Sequence, residues 1–429
     1  TLPSRVNVAL GGSPRCRHDA LVNDAGLVST VVDGAPGYEL WAGGSLGKAP
    51  ALAVLLAPFV PRTEVLAAVV ALIDVYVAHG DPEAEPIGEA GARAARRRRR
   101  QERGATQPQA APDVTPTVNL FDNPAKGRMK YLVESLGADA LRAAWQEAFA
   151  AARGRPRPPV PDVEVLAEAD RREILRRVPP GGWTAGVRPQ RTPGLASVTI
   201  DLPLGDTCSS ELQLCCDLAD RHADGHLTFN RDQNICFRNV PLAGVATIRA
   251  ALLERGVYLL GEGETAQIRA CTGSAVCALG ITDAPGAGRG LAAAAALARN
   301  SALRVHVSGC PNSCAQHQIG DIGLAGSKVR VDGQTTDGYQ VYLGADLDRH
   351  ILGEVVGRVA ARDLDAAVAA IVGTWEALRH PDEPLGRTVR RLGAEAFSLQ
   401  IQAALAERWA PGPEPGEAPV DAPALATPT

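Results

Sequence analysis

Nine cysteines are spread over the 429-residue chain: Cys16, Cys208, Cys215, Cys216, Cys236, Cys271, Cys277, Cys310 and Cys314. An odd number in so long a chain fits a disulfide scaffold poorly. Four of them form two close pairs, Cys271-x5-Cys277 and Cys310-x3-Cys314, with 32 residues between the pairs. Four thiolates suit a [4Fe–4S] cluster or a zinc ion, and soft sulfur ligands serve both. Zinc sites typically use two C-x2–4-C knuckles, so the x5 spacing leans toward the cluster; structural or unrelated thiols are the third reading. Gly309 and Pro311 make a tight loop that aims Cys310 and Cys314 together. Cys271 reads as a loop-to-helix transition, with Cys277 almost two turns later. Backbone amides in such loops bond to cluster sulfurs and tune their potential. Cys208, Cys215, Cys216 and Cys236 read as buried or half-buried small hydrophobes, and Cys16 stands alone.

The elements that must position these thiols show in the pattern around them. Apolar residues make up 45% and charged residues 21%, the balance of a globular chain of roughly three domains. Net charge is −4, which argues against a general nucleic-acid binder. No run of eighteen uncharged apolar residues is present, so no membrane span is expected. RVNVAL reads as a strand, GYELWAGG as a strand entering a glycine turn, and 63–80 as a helix capped by Thr63 and ended by Gly80. Tyr76 belongs to the apolar face of that helix. The run Arg96–Arg100 reads as solvated linker, with no aromatic interleaving to suggest nucleic acid. Residues 125–152 read as helical, and a Pro-rich joint follows at 155–162. Between 195 and 262 the order is strand, helix, strand, helix, with Ser209 or Ser210 near the first helix cap; a small α/β sandwich with a mostly antiparallel sheet fits. The Pro- and Ala-rich end of the chain reads as disordered.

Two regions repeat each other. VALGGSPRC…NDAGLVST parallels VHVSGCPNSC…GDIGLAGS, and DGAPGYELWAGGSLG parallels DGQTTDGYQVYLGADLD. A helix follows each, and GRMKYLVESLGADAL then parallels GRTVRRLGAEAF. Leu27 and Leu324 lie 297 positions apart, while Tyr38 and Tyr339 lie 301 apart, a difference expected from a small gap in each turn. Only the second copy has the paired cysteines; the first has Gly12 and Ser13 where the second has Gly309 and Cys310. Two copies imply a pseudo-two-fold body with one metal centre. No comparable small sandwich precedes the first copy, so its counterpart is expected upstream or on another chain, and an uncovered face of this kind predicts association.

CTGSAVCALGITD followed by HVSGCPNSCAQHQIGDIGLAG closely resembles the sirohaem and [4Fe–4S] family of assimilatory nitrite and sulfite reductases and precorrin-3B synthases. The similarity extends over most of residues 1–405, through LPSRVNV, NDAGLV, GYELWAGGSLGKAP, RMKYLVESLG and GHLTFNRDQNI. The resemblance implies an α/β (α+β) fold of duplicated sirohaem-type domains, with a ferredoxin-like small α/β sandwich between them. It divides the chain into a first repeat without cluster ligands at 1–80, an Arg/Pro-rich insertion at 81–124 and helical completion of that repeat at 125–157. The small domain follows at 158–262, the second repeat with the cofactors at 263–405 and a tail at 406–429. It places a [4Fe–4S] cluster on Cys271, Cys277, Cys310 and Cys314, and makes Cys314 the thiolate shared with sirohaem iron. It implies reduction of a small oxyanion, nitrite or sulfite, with electrons from ferredoxin or a similar one-electron donor. A reducing cytoplasm suits such a cluster, and a partner chain supplying the missing small domain is expected. Corrinoid-precursor oxygenation, or a cofactor-binding subunit inactive without the missing domain, are the alternatives.

In the family the strand resembling LPSRVNV lines the substrate face. Leu2, Pro3, Ser4, Arg5, Val6 and Asn7 occupy it here. Arg5 falls where Lys is usual, and Asn7 where nitrite reductases tend to carry Asn and sulfite reductases Lys. Both are expected to be catalytic, although Arg holds its proton too tightly to donate it readily. Arg231, Gln233 and Asn234 match the small-domain signature and are expected near the cofactor, with turn support as the alternative for the two amides. Arg231 and Arg238 meet a sirohaem carboxylate or lie on the surface. His317 reads as a supporting or surface residue. GGSLG lacks the phosphate-loop pattern and reads as a tight turn beside the macrocycle.

Overall fold

The computed structural model describes residues 5–12, 17–80, 127–156, 158–160, 173, 186–262, 266–297, 300 and 303–410. Leu2, Pro3, Ser4, Ser13, Cys16, the Arg96–Arg100 run and the sequence beyond 410 lie outside them.

The first copy begins with β1 (Val8–Gly11) and α1 (Arg17–Leu21), followed by β2 (Ala25–Val32), β3 (Ala35–Ala42) and β4 (Val54–Pro61). Its sheet runs β1-β2-β3-β4, with β1 parallel to β2 and the rest antiparallel. Helices α2 (Val65–Gly80), α3 (Met129–Leu136) and α4 (Ala138–Arg153) share its core, where Leu40, Leu72 and Leu141 are fully buried. Tyr76 is also fully buried, and its hydroxyl donates to the Gly127 carbonyl at 2.6 Å. A phenol at that depth needs such a partner. Thr63 sits in a 3₁₀ turn leading into α2 rather than at its cap.

The small domain holds β5 (Val187–Pro189), β6 (Leu195–Ile200), α5 (Ser209–His222), β7 (Leu227–Phe229), β8 (Ile235–Pro241) and α6 (Leu242–Leu253). All its pairings are antiparallel, in the order β5-β6-β8-β7. Ala196, Val198 and Ile200 point inward at period two, as a one-sided sheet requires. The α5 cap lies at Cys208, one residue before the expected serines, because Glu211 accepts the Cys208 N–H at 3.0 Å.

The second copy comprises β9 (Gln267–Ala270), α7 (Gly273–Val276), α8 (Ala284–Ala292), β10 (Arg304–Ser308), β11 (Ile322–Val331), β12 (Gln334–Leu343) and β13 (Glu354–Ala360). Helices α9 (Leu364–Leu378), α10 (Leu385–Leu392) and α11 (Ala394–Arg408) cover it. Helix α11 continues past the expected end of the repeat at 405, and Trp409 is anchored by its indole N–H to Asp363 at 3.1 Å.

The copies match strand for strand. Val8 pairs with Ala25 as Val305 pairs with Ile322. Asp33-Gly34 and Asp332-Gly333 make the same hairpin turn, with φ of 50° and 77° against 51° and 78°. Two consecutive positive φ values are what a two-residue turn between twisted strands needs, and Asp-Gly meets that need at least cost. The change of offset is therefore not in the turns. The hairpin arms have ten residues each in the second copy and eight in the first.

One asymmetry is large. Strand β9 lies parallel on β10, so Val305 and Val307 are 0% exposed. Their counterparts Val8 and Leu10, on the free edge of β1, are 50% and 66% exposed. RVNVAL therefore forms a ladder only from Val8 onward. Val307→Ala is expected to cost about 2 kcal/mol, whereas Leu10→Ala stays within about 0.5 kcal/mol. Denaturant midpoints of the two variants check the difference.

Candidate cluster and sirohaem site

Both cysteine loops leave the same end of the sheet, because β9 and β10 run parallel and stop together. Cys271 is the first residue after β9, and its N–H donates to the Val307 carbonyl at 3.0 Å. Only one helical turn, α7, separates it from Cys277, which ends that turn instead of lying two turns on. Cys310 and Cys314 lie on the loop after β10. The Gly309 N–H donates to Cys271 Sγ at 3.1 Å, and the Gly309 carbonyl accepts from Ile281 N–H at 2.8 Å. A Cβ on Gly309 would stand 2.7 Å from the Gly273 Cα, so the loops meet backbone to backbone. No larger residue fits there.

All four thiols are free. Cys310 is buried, Cys271 and Cys277 are half-buried, and Cys314 opens to the outside. The Cys314 thiol is pushed above its ordinary range, first by desolvation and then by Cys271, Cys310 and Cys277, while Arg5 pulls it back. The quartet and Arg5 thus act on one another. Among the described residues, no three His, Cys, Asp or Glu side chains converge tightly enough for one metal ion. A cubane seats each thiolate on its own iron, so its four sulfurs stand further apart than the ligands of a single zinc. Four free thiols are a donor set that fits the cluster, and the open side of Cys314 fits a thiolate with a second iron to meet.

The first copy cannot do the same. Its β1–β2 connection, 12–24, is as long as the β10–β11 connection, 309–321, which puts Arg17 at the place of Cys314. Arg17 pairs with Glu39 at 2.8 Å and lies over the Trp41 ring. The ends of the two connections still correspond. Asn7 N–H donates to Asp24 at 2.9 Å, as Arg304 N–H donates to Asp321 at 2.8 Å. Asp24 also holds Arg128 at 2.8 Å, which fixes the backbone just ahead of β1. The side chains of Arg5 and Asn7 are exposed.

The small-domain residues meet the second copy at its other flank. Gln233, at φ 65°, donates to the Ala270 carbonyl at 2.9 Å, immediately before Cys271. Asn234 accepts the Leu202 N–H at 2.9 Å and is buried, so its amide oxygen supports the domain's own turn. Arg231 pairs with Asp19 of the first copy, and Arg238 with Asp224 at 3.7 Å. Arg231, Asn234, His18, Arg269, Arg304 and His306 line a cavity of about 120 Å³ where the three units meet. None of the four paired cysteines lines it. Desolvation, then Arg231 and Arg304, bring the Arg269 guanidinium down to about 10.

Other expectations need correction. Cys208 and Cys216 are exposed, and only Cys215 is fully buried among that group. His317 is buried against Tyr342 with ring centroids 4.7 Å apart, and desolvation lowers it to about 4. Gln316 and Gln318, which the spacing argument passed over, are the residues that fasten the second cysteine loop. Their signal was two amides flanking a histidine on a loop, where nothing in a helical or strand pattern accounts for them.

The family model described as nitrite and sulphite reductase 4Fe-4S domain matches residues 1–86 and 262–408. The chain belongs to this family. The nitrite/sulfite reductase ferredoxin-like half domain matches residues 188–255 between the two segments. The family's cofactors are a [4Fe–4S] cluster and sirohaem. The chain is 27% identical to the ferredoxin–nitrite reductase of Synechococcus elongatus, over 85% of this chain and 61% of that one. It is 26% identical to sulfite reductase [ferredoxin] 2 of Mycolicibacterium paratuberculosis, over 81% and 54% respectively. It thus spans well under two thirds of these curated relatives. The solved structure of the Mycobacterium tuberculosis NirA protein superposes with a TM-score of 0.65 at 21% identity, covering 88% of this chain and 61% of that one, which supports the fold. No described helix is long and apolar enough to cross a membrane.

Two outcomes follow for this reductase-family site. Single Ser substitutions of Cys271, Cys277, Cys310 or Cys314 are expected to abolish cluster uptake, while Cys208→Ser and Cys236→Ser retain about four iron atoms per chain; iron and sulfide analysis after anaerobic reconstitution reads the result. His306, buried, is held down to about 3 by desolvation and Arg269. Its folded value lies below the unfolded value of about 6.5. The unfolded chain therefore binds the extra proton between these values, and stability falls as pH drops through that window. His306→Asn is expected to flatten that part of the stability–pH curve, measured by chemical denaturation of the cofactor-free chain.

Proposed function

We propose that this chain is the cofactor-bearing body of a ferredoxin-dependent reductase that converts nitrite to ammonia. The carrying observation is the convergence of four free thiols on two interlocked loops, with Arg5 acting on the most exposed of them. Cys271, Cys277, Cys310 and Cys314 would hold the cluster, and Cys314, the exposed thiol of the four, would be the one facing the sirohaem. Bound, these groups supply an iron for the oxyanion and a route for six successive electrons. Arg5 holds a fixed positive charge beside that position and offsets the anion. A guanidinium does not readily release a proton, so protons come from another donor. Asn7 offers a neutral amide where a second cation would favour the doubly charged oxyanion, which supports nitrite over sulfite. A one-electron donor of the ferredoxin type and a reducing cytoplasm match the exposed thiols and the cluster.

Among the described residues no strand covers the outer edge of β1, which supports a further polypeptide segment at this site. Val8 and Leu10 are open where β9 covers their counterparts, and the chain spans 61% of the Synechococcus relative. Such a segment brings its own side chains to the face that Arg5 and Asn7 share.

The test is anaerobic turnover of reconstituted chain with reduced ferredoxin, supplied with nitrite or sulfite. Ammonia formation with kcat/KM higher for nitrite is expected. Arg5→Ala should lower kcat about a hundredfold, with Arg5→Lys close to wild type, and Asn7→Lys should move preference toward sulfite. A chain that holds both cofactors and reduces neither anion overturns the assignment.

A further inference from the structure

The loop bearing Cys310 and Cys314 is fastened to both of its neighbours by side-chain amides. On one flank, Gln316 accepts from Arg269 Nη1 at 2.7 Å, and Arg269 reaches Asp232 of the small domain. The Gln316 carbonyl also accepts from His306 Nδ1 at 3.0 Å. On the other flank, Gln318 Nε2 donates to the Gly47 carbonyl of the first copy at 2.9 Å. Its Oε1 accepts from the hydroxyl of Ser313, a residue between Cys310 and Cys314. Gln318 is 1% exposed, and Ser313 is buried.

The orientation of this amide is forced. A backbone carbonyl only accepts, so the NH₂ end must face Gly47 and the oxygen must face Ser313. Both side chains of the bond are buried, and Ile319, the residue after Gln318, belongs to an apolar cluster with Val22 of the first copy and Leu347. In such surroundings an unmade bond is costly and a made one is rigid. Ser313 and Gln316 both adopt left-handed backbone, at φ 62° and 61°, which non-glycine residues keep only where their surroundings hold them. Gly47, at φ 106°, lets its turn approach to where a Cβ would lie 3.6 Å from the Asn312 carbonyl. Three separate features therefore converge on one contact between the glycine turn and the cysteine loop.

We propose that Gln318 is a positioning residue that sets where the Cys310–Cys314 loop stands against the first copy, and so where the Cys314 sulfur meets the face carrying Arg5. The inference rests on the cofactor reading above for its functional meaning, and on the geometry alone for its structural part.

Full-length Gln318→Met and Gln318→Glu test it. In the cofactor-free chain, hydrogen exchange at 315–319 is expected to rise at least tenfold in Gln318→Met, with 364–378 unchanged. In the loaded enzyme, Gln318→Met should keep wild-type iron content while altering the electron paramagnetic resonance of the reduced cluster and the sirohaem absorption, with kcat down about tenfold. Gln318→Glu places an oxygen against the Gly47 carbonyl until its carboxyl is protonated. Its spectrum should return toward wild type as pH is lowered, and that of Gln318→Met should not. Exposed Gln213→Glu serves as the unaffected control. Unchanged exchange, or identical spectra and pH behaviour in all forms, overturns the proposal. A wild-type chain that takes up no cluster defeats the cofactor reading instead, and the exchange comparison still decides the contact.

Discussion

The parallel pairing of β9 with β10 is the constraint from which the site follows. Two strands far apart in sequence run the same way and end side by side, so the loops after them share one small volume. Cys271 and Cys310 enter that volume from adjacent strands, and the Gly309 amide links the second loop to the first thiol. Parallel strands deliver their following loops to a common edge, which is why binding sites gather there in open α/β sheets. Replace the pairing by an antiparallel one and the two cysteine pairs would sit at opposite ends of the sheet.

The duplicated body gives that edge a wall. Among the described residues the first copy contributes no thiol, yet its glycine turn, its Trp41 stacked on His350 at 5.3 Å and its Leu46 and Leu52 side chains close against the cysteine copy. Arg17 shows how the duplication became asymmetric. It occupies the place of the exposed cysteine and is engaged by Glu39, so the same loop length now supports a short helix in place of a metal-binding turn.

Much of this was readable before any coordinates. The period-two burial of β6, the Asp-Gly hairpins and the apolar stripe around Tyr76 follow from patterns whose physics is local. The cysteine spacing singled out the four thiols, and the resemblance favoured a cluster over zinc. What escaped was non-local. The role of Gln318 depends on a carbonyl 271 residues away in sequence, and no periodicity encodes that. The exposure of Cys208 and Cys216 depends on which face of α5 meets the small sheet. The offset between copies looked like turn gaps because a repeat comparison cannot distinguish a longer arm from a longer turn.

The two halves of the body differ most at one edge of their sheets. The first copy completes its core with leucines, alanines, Tyr76 and Trp145, and its Gly127 carbonyl and Asp24 carboxylate are satisfied by its own side chains. In the second copy the sheet and its helices are equally complete, and the two loops at its parallel edge bring four thiols together. A sheet drawn twice in one chain thus serves two ends: the strand laid parallel on its first edge makes one copy the holder of the thiols, and the other copy their wall.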